Sequence, residues 1–127
     1  MNRDALIARL RMHEGLRLAV YDDATGLKVT KGSTLVGHPT IGIGRELSMH
    51  GISEDEAIIL CGNDIVEVEK GLDALCTRWR GLDETRQQVL AEMCFNVGLG
   101  GTVRKFVFGA MMMKEGTSHG YREGCVG

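Results

Sequence analysis

Six glycines, Gly15, Gly26, Gly32, Gly37, Gly42 and Gly44, punctuate residues 15–44, and segments of helical period lie on either side. Glycine supplies the backbone conformations that tight turns need and is a poor helix former, so this stretch reads as turns and short strands set into a helical chain. Leu16–Tyr21 alternates apolar and polar residues, and the glycine-bounded segments 26–32 and 35–44 carry β-branched residues, which predicts a small antiparallel sheet. The whole chain has 18 Gly and one Pro, consistent with helices joined by flexible turns. The expected fold class is α+β.

The flanking helices are legible from their ends. Arg3 to about Glu14 places Leu6, Ile7 and Leu10 on one face, with Asn2 as N-cap and Gly15 where a left-handed stop belongs. Glu14 then lies at the negative end of the helix, where the dipole and partial burial would both favour its protonated form. Ser53-Glu54-Asp55-Glu56 has the form of a capping box. It opens a long helix with Ile58, Cys61, Ile65, Val68, Leu72 and Leu75 at three- and four-residue steps, a candidate connection between two lobes. A further helix is expected from Asp83, burying Val89, Leu90, Met93, Cys94 and Val97 and stopping at Gly98. Another, from Thr102 or Val103 to before Gly116, is apolar all round through Phe106–Met113, as expected of a helix enclosed by others. Residues 1–116 read as one domain with two lobes, and residues 117–127, which lack helical period, as a frayed tail.

Composition bounds the function. A chain of 127 residues is one domain's length and can bury roughly two thirds of its unfolded surface without staples. A net charge of -2 lacks the basic stripe that nucleic acid requires, so no nucleic-acid partner is expected. No apolar run reaches the ~18 residues of a membrane span, and Arg9 and Arg11 interrupt the N-terminal run, so neither stable membrane insertion nor a signal peptide is expected. Four cysteines, Cys61, Cys76, Cys94 and Cys125, show no zinc-ligand spacing and are expected reduced, with Cys61 and Cys94 acting as small hydrophobes. His13, His38, His50 and His119 are scattered and read as surface or hinge residues, His13 being placed to modulate Glu14. No metal or other cofactor is called for.

The chemistry-bearing residues are Glu14, Asp23 and Thr40. Two carboxylates that face each other across a cleft are the minimum equipment for glycoside hydrolysis. By spacing alone, Glu14 could equally be a solvated helix end, Asp23 a turn former and Thr40 a strand former. Asp22 competes with Asp23 for the second carboxylate. Adjacent residues of an extended chain point to opposite faces, so only one of the two should reach a cleft, and Asp23 is the one preferred.

His13-Glu14-Gly15-Leu16-Arg17-Leu18, Tyr21-Asp22-Asp23, Thr40-Ile41-Gly42-Ile43-Gly44 and Cys94-Phe95-Asn96-Val97-Gly98, in this order, resemble the phage-type lysozymes, the endolysins of glycoside hydrolase family 24. The resemblance covers about residues 3–115. It implies a lysozyme-like fold, a small sheet lobe and a mainly helical lobe joined by a long helix, with the cleft between them. Residues 27–39 then look like a longer hairpin than the family's shortest members carry. By the same resemblance Glu14 is the general acid, Asp23 the carboxylate that activates water or steadies the transition state, and Thr40 the hydroxyl that positions that water. Phe95 and Asn96 would meet the sugar.

The implied activity is that of a muramidase of phage or prophage origin, cutting peptidoglycan between N-acetylmuramic acid and N-acetylglucosamine to lyse the host, with inversion by family analogy. The implied protein is a monomer made in the host cytoplasm that reaches the periplasm through a holin-type pore. Family members usually continue through further helices carrying a Trp and arginines, one of which pairs with the catalytic glutamate, and none of this is legible after Gly116. The C-terminus is therefore expected to be shortened, and a catalytically inactive remnant that at most binds glycan is the alternative. A glycosidase acting on chitin or a related polymer is a third reading.

Overall fold

The computed structural model describes residues 1–98. Its elements in chain order are α1 (Arg3–Glu14), β1 (Arg17–Asp22), β2 (Pro39–Gly42), β3 (Arg45–Glu46), α2 (Leu47–His50), α3 (Glu54–Leu75), a 3-10 helix (Thr77–Gly81) and α4 (Glu84–Val97). Helices and a three-stranded antiparallel sheet of order β1-β2-β3 make the fold α+β, as expected from the sequence. The chain divides into two compact units, Met1–Glu54 and a second beginning at Asp55. The helix expected from residue 102 or 103 onward and the tail at 117–127 lie outside the described residues.

In the first unit α1 begins and ends where its sequence signals stand. The Asn2 side chain accepts a hydrogen bond from Ala5 N at 3.0 Å. Gly15, at φ 78, donates its own N–H to Arg11 O at 2.9 Å. The face formed by Leu6, Ile7 and Leu10 is exposed rather than buried. The sheet pairs Tyr21 with Thr40 and Asp22 with Pro39 across β1 and β2, and Thr40 with Glu46 across β2 and β3. Tyr21, Thr40 and Glu46 therefore form one cross-strand row on the central strand.

The segment 26–32, expected as a strand, contributes only an isolated bridge between Lys28 and Tyr21. Two backbone bonds to β1 remain, Asp22 N to Leu27 O and Val29 N to Val20 O, both at 2.9 Å, and side chains take neighbouring backbone groups. Ser33 Oγ accepts from Thr30 N at 2.8 Å, Thr25 Oγ1 from Leu27 N at 3.2 Å, and Asp22 from Val36 N and Gly37 N. Residues 23–38 consequently form a long tethered loop between β1 and β2.

In the second unit the buried core is Leu72, Leu75, Cys76, Trp79, Leu82, Leu90 and Cys94. Leu72 and Leu90 are the largest fully buried side chains. Only the C-terminal part of the α3 stripe is enclosed, while Ile58 and Ile65 are exposed. Val89, expected in the core, is likewise exposed. The 3-10 helix, absent from the sequence reading, inserts Trp79 into this core, and its indole N–H donates to Asp73 Oδ1 at 2.8 Å. Arg80 grips the same carboxylate through Nε and Nη2 at 2.7 and 2.9 Å, which holds Asp73 below its ordinary pKa, the Trp79 bond adding to the effect. Asp83 caps α4 by accepting from Arg86 N at 2.8 Å.

Cys94 is free and buried, and desolvation raises its pKa, in keeping with a small hydrophobe. Cys61 is free but exposed rather than on a buried face. Cys76, expected reduced, is disulfide-bonded.

Candidate active site

Glu14, Asp23 and Thr40 all belong to the first unit. The stop at Gly15 makes Glu14 the last helical residue, and its side chain lies over Gly44 in the turn between β2 and β3. A Cβ at Gly44 would stand 3.2 Å from Glu14 Oε2 and 3.3 Å from its Cγ. Gly44 also has φ +72, a conformation that L side chains rarely adopt. The second glycine of Thr-Ile-Gly-Ile-Gly thus serves two ends, closing the hairpin and letting Glu14 approach the backbone. Glu14 is exposed, which corrects the expected partial burial.

The neighbouring carboxylates have different surroundings: Asp22 is the last residue of β1 and Asp23 stands in the turn that follows. Asp22 is buried, and its Oδ1 accepts from Ala24 N at 2.9 Å and Gly37 N at 3.0 Å, its Oδ2 from Val36 N at 2.7 Å. These bonds, that from Val36 foremost, hold its pKa below the ordinary carboxylate value against the opposing effect of desolvation. Its oxygens are engaged in fastening the loop. Asp23 is exposed on the other side, with Oδ1 accepting from His38 N at 2.7 Å and Oδ2 standing 3.5 Å from His38 Nδ1.

Thr40 is buried on β2, and its hydroxyl donates to His38 O at 3.1 Å. Asp23 N donates to the same carbonyl, also at 3.1 Å. His38 is therefore the shared partner of Asp23 and Thr40; it is exposed, as a surface histidine was expected to be, and the sequence reading did not anticipate this role. The signal available was its position, two residues before Thr40 and next to Pro39. Gly37, expected only as one of the turn-forming glycines, also bears on the site. A Cβ there would press on Asp23 Oδ1 and on Ala24, so any larger residue must displace the carboxylate or the chain beside it.

Glu46, on the far side of Thr40, N-caps α2 by accepting from Ser48 N at 3.2 Å and Met49 N at 3.1 Å. Its pKa is lowered, chiefly by the Ser48 hydroxyl and to a lesser degree by the charge of His38.

The arrangement supplies an exposed carboxyl on a helix end beside the β2–β3 turn and an exposed carboxylate on the tethered loop beside the start of β2. Such a pair can deliver a proton and activate water in the hydrolysis of an acetal. Among the described residues no His, Cys, Asp and Glu side chains group so as to hold a metal ion.

Phe95 and Asn96, expected to meet the sugar, stand near the end of α4 in the second unit. They line an open groove of about 480 Å³ with Cys61, Ile65 and Val68 of α3. No helix among the described residues is long and apolar enough to cross a membrane.

A family model described as phage lysozyme matches residues 11–119. A search of curated proteins gives no match to the chain.

Proposed function

The chain belongs to the phage lysozyme family and is a glycosidase of lysozyme type whose substrate is peptidoglycan, and from that premise we propose that it cuts the bond between N-acetylmuramic acid and N-acetylglucosamine. Glu14 is the general acid that protonates the glycosidic oxygen. Asp23 is the carboxylate that activates the attacking water, and Thr40 positions that water. Phe95 and Asn96 hold the sugar.

The observation that carries this reading is the way the family's motif residues are held. Glu14 lies against the turn that follows Thr40, and the backbone N–H of Asp23 donates to the His38 carbonyl that the Thr40 hydroxyl also engages. The hydroxyl of Thr40 is the donor to His38 O, so its oxygen lone pairs remain available to accept a bond from water. The reaction proceeds with inversion, for which the carboxyl groups need room for a water between them, about 6.5–9.5 Å. The protein accumulates in the host cytoplasm as a monomer, reaches the periplasm through a holin-type pore and lyses the host.

The test is loss of turbidity of chloroform-permeabilised Gram-negative cells on addition of the purified protein, run beside Glu14→Gln and Asp23→Asn. The parent is expected to clear the suspension, and each variant, folded by its melting profile, to lose at least ~100-fold in rate, the lower range for removing a general acid or base. A folded Glu14→Gln that keeps most of the activity would remove the acid from this scheme.

A further inference from the structure

We propose that His38 is a positioning residue of the active site, its imidazole holding the Asp23 carboxylate while its peptide group ties Asp23 to Thr40. This inference rests on the assignment of Asp23 proposed above.

Four contacts converge on His38. Its backbone N–H donates to Asp23 Oδ1 at 2.7 Å, and its carbonyl accepts from both Asp23 N and Thr40 Oγ1. Its ring Nδ1 stands 3.5 Å from Asp23 Oδ2. The backbone contacts fix one carboxylate oxygen, and any residue could supply them. The ring faces the other oxygen, and an exposed carboxylate held at one oxygen only can still rotate about its terminal torsion, which is broad for aspartate. A second partner on the second oxygen removes that freedom, and catalysis is sensitive to such orientation.

The charged groups that face the imidazole are Asp23 from the end of β1 and Glu46 from β3. Glu46 is occupied in capping α2 through Ser48 and Met49, so Asp23 is the carboxylate whose orientation the ring can set. Gly37, next to His38, completes the arrangement by leaving space for Asp23 Oδ1. The imidazole is itself more than half exposed, at 59%, so its removal leaves the packing of the unit intact.

The experiment compares His38→Ala, His38→Asn and His38→Gln with the parent in kcat and KM on purified peptidoglycan. An asparagine amide nitrogen reaches about where Nδ1 stands, whereas that of glutamine lies further out. Loss of orientation predicts that His38→Ala and His38→Gln fall in kcat by ~10-fold or more at unchanged KM, the loss expected of an interaction made only in the transition state. His38→Asn is expected to recover most of it. Equal kcat in all four proteins would overturn the inference, as would a fall shared equally by the asparagine variant.

An activity-free readout accompanies these kinetics. The ring-nitrogen resonances of His38 are expected to move in Asp23→Asn more than those of the other histidines, and unmoved His38 signals would overturn the contact itself. An inactive Asp23→Asn with a fully active His38→Ala would refute the positioning role and leave the catalytic assignment standing. A fully active Asp23→Asn would refute both.

Discussion

Replacing Gly37 by alanine puts one methyl group where the loop has no room for it. The added Cβ would stand 2.1 Å from Asp23 Oδ1, 2.7 Å from Ala24 Cβ and 2.8 Å from Ala24 N, whereas ordinary contact begins near 3.4 Å. The first clash can be relieved by swinging the Asp23 carboxylate, which breaks its bond from His38 N at 2.7 Å. The contacts with Ala24 involve backbone and a side chain without rotamers, so there the chain itself must shift. Overpacking of this kind costs about 1–3 kcal/mol, and the lost hydrogen bond adds about 1 kcal/mol. The sum, about 2–4 kcal/mol, should appear as a lower urea midpoint. The effect on rate should be larger than on binding, because displacing a catalytic group by about an ångström can cost ~100-fold. Cell-clearing rates and urea melts of Gly37→Ala measured beside the parent make the check. A variant with the parent's midpoint and the parent's rate would refute the view that this loop fixes Asp23 by steric fit.

The opposite sign is expected for Gly62→Ala, since Gly62 lies inside α3 with nothing within 4 Å of an added Cβ; helix propensity predicts a gain of about 1 kcal/mol in a urea melt. Leu72→Ala should cost about 2–5 kcal/mol, because Leu72 is fully buried, whereas Ile59→Ala on the exposed side of α3 should stay within ~0.5 kcal/mol. Stability should also fall at acid pH through Asp22, whose pKa is lowered in the folded state. The sign follows from linkage: the contribution is complete above the unfolded carboxylate value of ~3.9 and is lost as pH falls through the lower folded value. An Asp22→Asn variant should lack this part of the acid dependence, and an unchanged pH profile of the melt would count against the loop-fastening role of Asp22.

Much of this organisation is local and was therefore legible. The caps at Asn2, Gly15, Asp83 and Gly98 act within a few residues of themselves, and the helices α1 and α4 begin and end where those residues stand. That Asp22 and Asp23 should differ in surroundings was an expectation from the sequence, and the structure buries the first, at the end of β1, and exposes the second, in the turn after it. What was missed is non-local. The loop at 26–36 carries β-branched residues, yet Asp22 captures amides that lie fourteen and fifteen residues further on, and no propensity encodes that. His38 looked like a scattered histidine because its meaning depends on a fold-back that brings it to Asp23. In the second unit the apolar stripe on α3 is legible as a stripe, but only its C-terminal part is buried. Periodicity shows which face is apolar without showing how far along the helix a partner covers it. The 3-10 helix lacked any periodic signal, and Trp79 enters the core through one short turn held by Asp73.

The assignment of bond and acid stands or falls on the reducing ends released from purified peptidoglycan, identified by borohydride reduction and mass spectrometry of the products of the parent and of Glu14→Gln. A muramidase using Glu14 yields reduced N-acetylmuramic acid at the new ends with the parent and none above background with the variant. Reduced N-acetylglucosamine at those ends, or equal release by Glu14→Gln, would show that another bond is cut or that another group supplies the proton.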